Sequence, residues 1–494
     1  MYDIVLVRPN DKKAIYSGIP NSSTASDPPY YMALMGGYLN QAGISVRLLD
    51  AENDDLSPSE AAKNILDMEP RLIGIIPLGS NLTASTWKMN GASILASEIK
   101  KQQKQKKIQD SFRVFIWGYH VSALPERTLE EEDVDFVITG EGFDTIISLL
   151  NDLKTNNSTS VIELDGLWYR ENGTIKGNYN PSLIKDLNAL PVNGWDLLSN
   201  YNYRNHMHFA FEDLSKRNKY GAILTSMGCP YNCSYCAIHY FHGERKIRYK
   251  SGERVADEAE YLVKKHDVYY LRIMDECFTT NLNHVTEVCH SIINRKLNVS
   301  IWAYARIDHI NKKILEMMYE AGVRWLGIGI ETGSQVIREN VYKGQYSLEQ
   351  IKDTISLILD SGISVCDNYM FGLPGDTIET MQQTLTLARE LNCGYPNMYC
   401  TMAYPGSQLY KNARKEDLPE TWLGYAQLSY ETKPLPTATL TAAEVLSFRD
   451  YAFNAFFQDN DTYFKMIEKK FGMSAVNAIK ETLSHGKLKR KILE

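Results

Sequence analysis

The sequence predicts an α/β protein. In chain order it should contain an N-terminal doubly wound parallel sheet of Rossmann-like, flavodoxin type, a partial (β/α)6 barrel and a helical C-terminal region. Three observations carry this. Short apolar runs alternate with amphipathic stretches across residues 2–138 and again across residues 220–402, and alternation at this spacing marks a parallel sheet covered on both faces. Three cysteines, Cys229, Cys233 and Cys236, crowd into the loop after the first strand of the second series. Beyond residue 440 only helical patterns remain.

Composition sets the class. The 494 residues allow two to four domains, and 44% hydrophobic with 23% charged content is ordinary for a soluble globular chain. A formal net charge of -7 gives no global pull toward nucleic acid or an anionic membrane. The one dense basic run, residues 100–107, reads as the solvated end of a helix. Neither a signal peptide nor a run of 18 apolar residues is found, so a cytoplasmic location is expected, with no membrane and no nucleic-acid partner. All eight cysteines lie between Cys229 and Cys400, which is not the layout of a secreted disulfide framework.

In the first series, strands are expected at residues 2–8, 44–49, 72–76, 113–117 and 134–138, with helices such as 31–42 and 85–101 between them. Residues 1–150 are read as one ligand-binding domain. Ligands of such sheets bind beyond the strand carboxyl ends, here Arg8-Pro9-Asn10, Leu78-Gly79-Ser80, Gly118-Tyr119-His120 and Gly140-Glu141-Gly142. No GxGxxG follows the first strand, so a dinucleotide is poorly supported. The polar loop of residues 10–28 is instead suited to fold over a large planar ligand. His120, alone in its loop, reads more readily as a hydrogen-bonding residue than as a metal ligand.

Residues 151–215 are expected to hold a small hairpin around 166–174 and a linker at 186–191, then aromatics (Trp195, Tyr201, Tyr203, Phe209, Phe211) that pack between domains. The second series supplies strands at 220–225, 269–274, 299–302, 325–330, 364–371 and 397–402, with helices between. These six βα-type units form a partial barrel over residues 216–412, with chemistry at the strand C-termini. Residues 413–494 are the helical region, a cap or a docking element.

The cysteine loop decides the chemistry. A 4Fe-4S cluster takes four thiolates, one per iron, so a local set of three leaves one iron open. A structural zinc site with His239 as fourth ligand is the plain alternative, but such sites show paired ligands, and the next cysteine, Cys277, has no partner at CxxC spacing.

A CxxxCxxC loop after a barrel's first strand, with Tyr235 just before the third cysteine, resembles the radical S-adenosylmethionine (SAM) superfamily. Further motifs agree in order: Asp275-Glu276-Cys277-Phe278-Thr279, Arg306-Ile307-Asp308, Gly329-Ile330-Glu331-Thr332-Gly333-Ser334, Gly372-Leu373-Pro374-Gly375-Asp376-Thr377 and Tyr404-Pro405-Gly406-Ser407. Together they resemble the subgroup with an N-terminal cobalamin (B12)-binding-type domain, which includes class B-like methyltransferases and the anaerobic Mg-protoporphyrin ester cyclases. The likeness covers roughly residues 1–410.

The resemblance implies Cys229, Cys233 and Cys236 as ligands of a 4Fe-4S cluster whose open iron is chelated by SAM. It places Tyr235 beside the adenine and Glu276 on the ammonium, with Asp275 as rival. Arg306 would meet the carboxylate and Glu331 the ribose. The bland alternatives are a Glu276–Arg306 pair inside the barrel, Glu331 as a helix cap, and Tyr235 as packing. The implied reaction is reductive cleavage of SAM to a 5′-deoxyadenosyl radical, with a flavodoxin- or ferredoxin-like reductase feeding the cluster. Cobalamin between the domains would then methylate an unactivated carbon of a small-molecule substrate. A non-methylating cyclisation, oxidation or rearrangement is the alternative. The first domain lacks the DxHxxG pattern that places a histidine on cobalt, so cobalamin is expected with its own base displaced and no histidine beneath the metal. Arg8, Asn10, Ser80, Gly118, His120 and Glu141 are the candidates around it. Methylthiotransferases share this barrel but add three cysteines in their N-terminal domain, and none occurs here.

Overall fold

Ile4–Arg8 (β1) is buried along its whole length, which is why its sequence is a continuous apolar run rather than an alternating one. It is an interior strand, next to the edge strand β2, of a sheet ordered β2-β1-β3-β4-β5-β6-β7, with β2 Val46–Asp50, β3 Leu72–Ile75, β4 Arg113–Trp117, β5 Phe136–Ile138, β6 Leu167–Glu171 and β7 Thr174–Gly177. The computed structural model describes residues 2–16, 19, 24, 26–79, 81–108, 111–155, 164–181, 183–198, 200–484 and 488–494. Strands β1 to β5 pair in parallel. The hairpin β6–β7, expected within a separate segment at 151–215, instead adds antiparallel to β5 (Phe136 opposite Tyr169) and extends the first sheet past residue 150. No periodicity in a strand announces which edge it will join, so this pairing was not legible.

The second sheet is wholly parallel, ordered β15-β14-β13-β12-β11-β8. Its strands are β8 Tyr220–Ile223, β11 Tyr270–Ile273, β12 Ser300–Ala305, β13 Val323–Glu331, β14 Ser364–Phe371 and β15 Asn397–Cys400. A short ribbon, β9 Ser226–Met227 against β10 Arg248–Tyr249, stands apart and carries the cysteine loop between its strands. Capping boxes at Ser347 and Thr377 start the helices Leu348–Asp360 and Ile378–Leu391 that return the chain between barrel strands.

Two apolar layers organise the molecule. One face of the first sheet (Val5, Val7, Ile73, Ile75, Val114, Ile116) is covered by the helices Pro58–Asp67 and Met89–Lys106. The other face (Ile4, Leu6, Phe115, Trp117) merges with the barrel and the C-terminal helices in one continuous core. The exposed edge at β15 is covered by the helix Ala442–Phe457, whose Arg449 Nε donates to Met398 O at 2.8 Å. No helix among the described residues is long and apolar enough to cross a membrane.

Gly228 fixes where the cysteine loop begins. Its φ is +99°, and a Cβ there would lie 2.2 Å from the Lys246 carbonyl oxygen, so the ribbon closes only over glycine. Gly228→Ala is expected to loosen the loop without unfolding the chain: limited proteolysis between residues 228 and 246 should accelerate by roughly tenfold at unchanged far-ultraviolet circular dichroism. Wild-type proteolysis rates would contradict this account.

Candidate functional site

A cavity of about 730 Å³ opens at the C-terminal ends of the barrel strands. Cys229, Cys233 and Cys236 line it together with Tyr235, Asp275, Glu276, Arg306 and Glu331, so the residues expected to hold the cluster and SAM meet at one place, while His239 lies outside it. Parallel barrels deliver this outcome, since each strand's following loop emerges at the same end. The loop is pinned from both sides: Ser234 N donates to Val341 O at 3.1 Å and Leu409 N to Ser234 O at 3.0 Å.

None of the three thiols is in a disulfide. Burial pushes the Cys229 thiol upward and the Cys236 thiol to about 12, so as thiolates they need a cationic partner, which iron supplies. Among the described residues no three His, Cys, Asp or Glu side chains converge as the ligands of one ion would. A cluster takes one thiolate per iron and asks for no such convergence. Three thiols on one loop, all lining the cavity, fit a 4Fe-4S cluster with one iron left open.

Glu276 and Asp275 separate cleanly. Asp275 has no solvent exposure and accepts from Thr225 N at 2.7 Å, Thr225 Oγ1 at 2.5 Å and Ser226 Oγ at 2.6 Å, which pins the end of β8. Glu276 Oε1 accepts from Tyr119 at 3.3 Å, while its Oε2 is buried with no partner among the described residues. A buried carboxylate oxygen left without a donor, on the cavity wall, fits a ligand ammonium.

Arg306 is not paired with Glu276. Its fork binds Asp308 (Nε to Oδ1 and Nη2 to Oδ2, both 2.9 Å), its Nη2 also donates to Lys343 O at 2.6 Å, and its plane lies over the Tyr231 ring at 3.7 Å. Glu331 is no helix cap: it ends β13 at φ +65° and accepts from Tyr235 at 3.2 Å and from Lys343 Nζ at 2.8 Å. Lys343 is a cavity cation beside Glu331 that the sequence does not mark. It follows no strand, arriving after the short helix Gln335–Asn340, and nothing in its local pattern marks it. A Cβ on Gly329 would lie 2.5 Å from Lys343 Nζ, so glycine makes room for the Lys343–Glu331 pair. The Tyr235 ring packs with Ile337, Val341, Leu373 and Met370.

The first-domain expectations need correction, because Arg8, Asn10, Gly118, His120 and Glu141 do not line the cavity and most of their polar groups are engaged elsewhere. Arg8 is buried in a two-point bond to Asp50 at 2.8 and 2.7 Å and touches only a small side cavity. Asn10 binds Asp55 and Leu56 O. Gly118 opens the helix Tyr119–Ala123. His120 contacts Thr86 at 3.1 Å and the Trp422 ring edge-on at 4.5 Å, and burial drops its pKa to about 3. Glu141 is held by Arg248 and His242. Ser80 lies outside the described residues. The domain instead presents Ile15, Tyr16, Leu82, Thr83 and Trp87 to the cavity, from the short helices Lys12–Ile15 and Leu82–Lys88 that follow β1 and β3. An apolar and aromatic wall of this kind suits a large flat macrocycle, and no histidine among the described residues 2–150 belongs to it.

Comparisons with known proteins agree with this construction. Residues 223–388 match the radical SAM superfamily and residues 27–150 match the B12 binding domain. The chain is 28% identical over 428 residues to an uncharacterized methyltransferase of Pyrococcus horikoshii, spanning 86% of each. It is 26% identical over 391 residues to the anaerobic magnesium-protoporphyrin IX monomethyl ester cyclase of Rubrivivax gelatinosus, covering 78% of this chain and 66% of that one. The fold is shared with the radical SAM methyltransferase TsrM from Kitasatospora setae (TM-score 0.64, 17% identity, 83% of this chain and 74% of that one). It is also shared with the cobalamin-dependent enzyme OxsB (TM-score 0.69, 17% identity, 99% and 74%). The chain thus joins a radical SAM region, which carries the three-thiol loop, to a B12-binding domain, and is a cobalamin-dependent radical SAM enzyme whose cofactors are a 4Fe-4S cluster, SAM and cobalamin.

Proposed function

We propose that this enzyme transfers a methyl group to an unactivated carbon of a small-molecule substrate. One observation supports the reading: the cavity lined by the three cysteines is also lined by the B12-binding domain's Leu82, Thr83 and Trp87. When bound, the cluster supplies the electron that cleaves SAM to the 5′-deoxyadenosyl radical, and cobalamin supplies the methyl group. The chain supplies the holding groups. Cys229, Cys233 and Cys236 are the cluster ligands, and Glu276 Oε2 accepts from the SAM ammonium. Lys343 and Arg306 provide positive charge for the carboxylate, Tyr235 packs beside the adenine, and Glu331 faces the ribose. Tyr304, Asn397, Tyr399 and Arg449, which line the same cavity, orient the substrate. Asn397 is itself fixed by Asn368 Oδ1 at 2.9 Å. A flavodoxin- or ferredoxin-like protein is the proposed electron donor.

A second reading, a radical reaction without methyl transfer, draws on the likeness to three anaerobic magnesium-protoporphyrin IX monomethyl ester cyclases. Protein reconstituted anaerobically with iron, sulfide and hydroxocobalamin, then gel-filtered, decides between them. Retained cobalamin absorbance, together with radiolabel from methyl-labelled SAM appearing in product, supports methyl transfer. A colourless protein sinks it, and 5′-deoxyadenosine without labelled product favours the second reading.

Cys233→Ala is expected to lose most of the cluster iron and to slow SAM cleavage by at least about a hundredfold; intact iron and cleavage would refute the ligand assignment. Lys343→Met, which strands Glu331 without its cation, should raise the SAM KM by about tenfold or more at unchanged iron content.

A further inference from the structure

A buried chain of polar groups runs from the first domain to the cavity carboxylate Glu276. It starts at Glu141, in the loop after β5, which has no solvent exposure. That loop is preset by its own domain, since Trp117 Nε1 donates to Gly140 O at 2.8 Å and Gly140 N donates to Ser122 Oγ at 2.9 Å. From the barrel side, Arg248 on β10 donates to both Glu141 oxygens, at 2.9 Å to Oε2, and His242 Nδ1 donates to Oε1 at 3.0 Å. The other His242 nitrogen, Nε2, lies 3.0 Å from the Tyr119 hydroxyl and 3.5 Å from Glu276 Oε1. Tyr119 donates to the same Glu276 oxygen at 3.3 Å.

Two features tie this chain to the cofactor end of the molecule. His242 closes the short helix His239–His242, six residues beyond Cys236, so the segment leaving the cysteine loop is the one that docks on the first domain. Next to it, the Phe241 ring stacks on Tyr119 at 4.1 Å and 7°. Second, the doubly protonated ring is the state that leaves the Tyr119 proton for Glu276. With both His242 nitrogens protonated, the ring donates to Glu141 and to the Tyr119 oxygen, and the single Tyr119 proton is directed to Glu276. If Nε2 loses its proton it competes for the Tyr119 proton, and Glu276 Oε1 loses its donor.

We propose that His242 and Tyr119 are positioning residues through which the seating of the B12-binding domain sets the orientation of Glu276, coupling SAM binding to the docking of the two domains. The proposal rests on the reading of Glu276 as acceptor of the SAM ammonium. The relay holds Glu276 through Oε1 and leaves Oε2, on a residue that lines the cavity, without a donor among the described residues. The charges support the doubly protonated ring. Burial alone would lower the His242 pKa, but hydrogen bonds to Glu141 and Glu276 outweigh it and lift the value to about 9. The titratable and charged groups around the ring are Glu141, Tyr119 and Tyr31 from the first domain, and Glu276, Arg248 and His239 from the barrel side.

The test uses holoenzyme loaded with cluster and cobalamin. SAM affinity is measured by equilibrium dialysis, beside the SAM KM and kcat for 5′-deoxyadenosine formation. Tyr119→Phe and His242→Gln should each weaken SAM binding by about tenfold, with kcat within twofold and with iron and cobalamin content unchanged. The Kd ratio of His242→Gln to wild type should shrink toward 1 as pH rises from 7.5 to 10, because the wild-type ring gives up the proton that aims Tyr119; titration of SAM itself cancels in that ratio. Glu276→Gln is the reference. If it loses SAM affinity while Tyr119→Phe and His242→Gln bind SAM as wild type does, the relay is overturned and the reading of Glu276 stands. If Glu276→Gln binds SAM normally, the reading of Glu276 falls, and the proposal with it. Tyr119→Phe removes one hydroxyl and keeps the ring stack, so the test survives a His242 variant that does not fold.

Discussion

A carboxylate stripped of all water must be paired, and Glu141 is paired across the junction of two domains. Its partners, Arg248 and His242, belong to the barrel, while the loop that aims it belongs to the first sheet. Breaking one side of such a buried group leaves an uncompensated charge, which costs on the order of 3–5 kcal/mol. The apolar core shared by the two domains makes them adhere, but apolar contact is indifferent to small slips. The Glu141 network admits one register. Everything in the cavity that draws walls from both domains depends on it.

The barrel half of the site was legible because its chemistry is written at strand ends. The topology sends the loops after β8, β11, β12 and β13 to one mouth, so Cys229, Glu276, Arg306 and Glu331 had to meet there. The same reasoning failed in the first domain for a physical cause. The rule that ligands lie beyond strand carboxyl ends is right about the face and silent about which residues remain free to use it. Arg8 answers Asp50, His120 answers Thr86 and Trp422, and Glu141 answers the barrel. The cavity is then left to residues farther along the chain, such as Leu82 and Trp87. Lys343 was invisible for a related reason: proximity to Glu331 is a property of the turn after β13, not of any spacing.

The cavity holds its charged groups by mutual restraint. Arg306 is two-point bonded to Asp308, Lys343 to Glu331, and Tyr235 to that same Glu331. Each ion is thus stabilised before a ligand arrives, and little reorganisation remains for binding. Glu276 is the exception, with one oxygen satisfied and the other not. An orphaned acceptor in a buried wall is a local cost, tolerated where a ligand repays it.

A six-stranded parallel sheet does not close on itself, and its last strand would present unpaired backbone groups to solvent. The helix Ala442–Phe457 solves that problem at β15, and the way it does so matters for function. Arg449 donates to the carbonyl of Met398 in that strand and, with Asp450 and Phe453, also lines the cavity. The element that makes the open barrel stable is therefore also a wall of the reaction space. Substitutions that reshape this wall act on the seal of the sheet edge as well, so the C-terminal region is bound to the barrel by the geometry of an incomplete sheet.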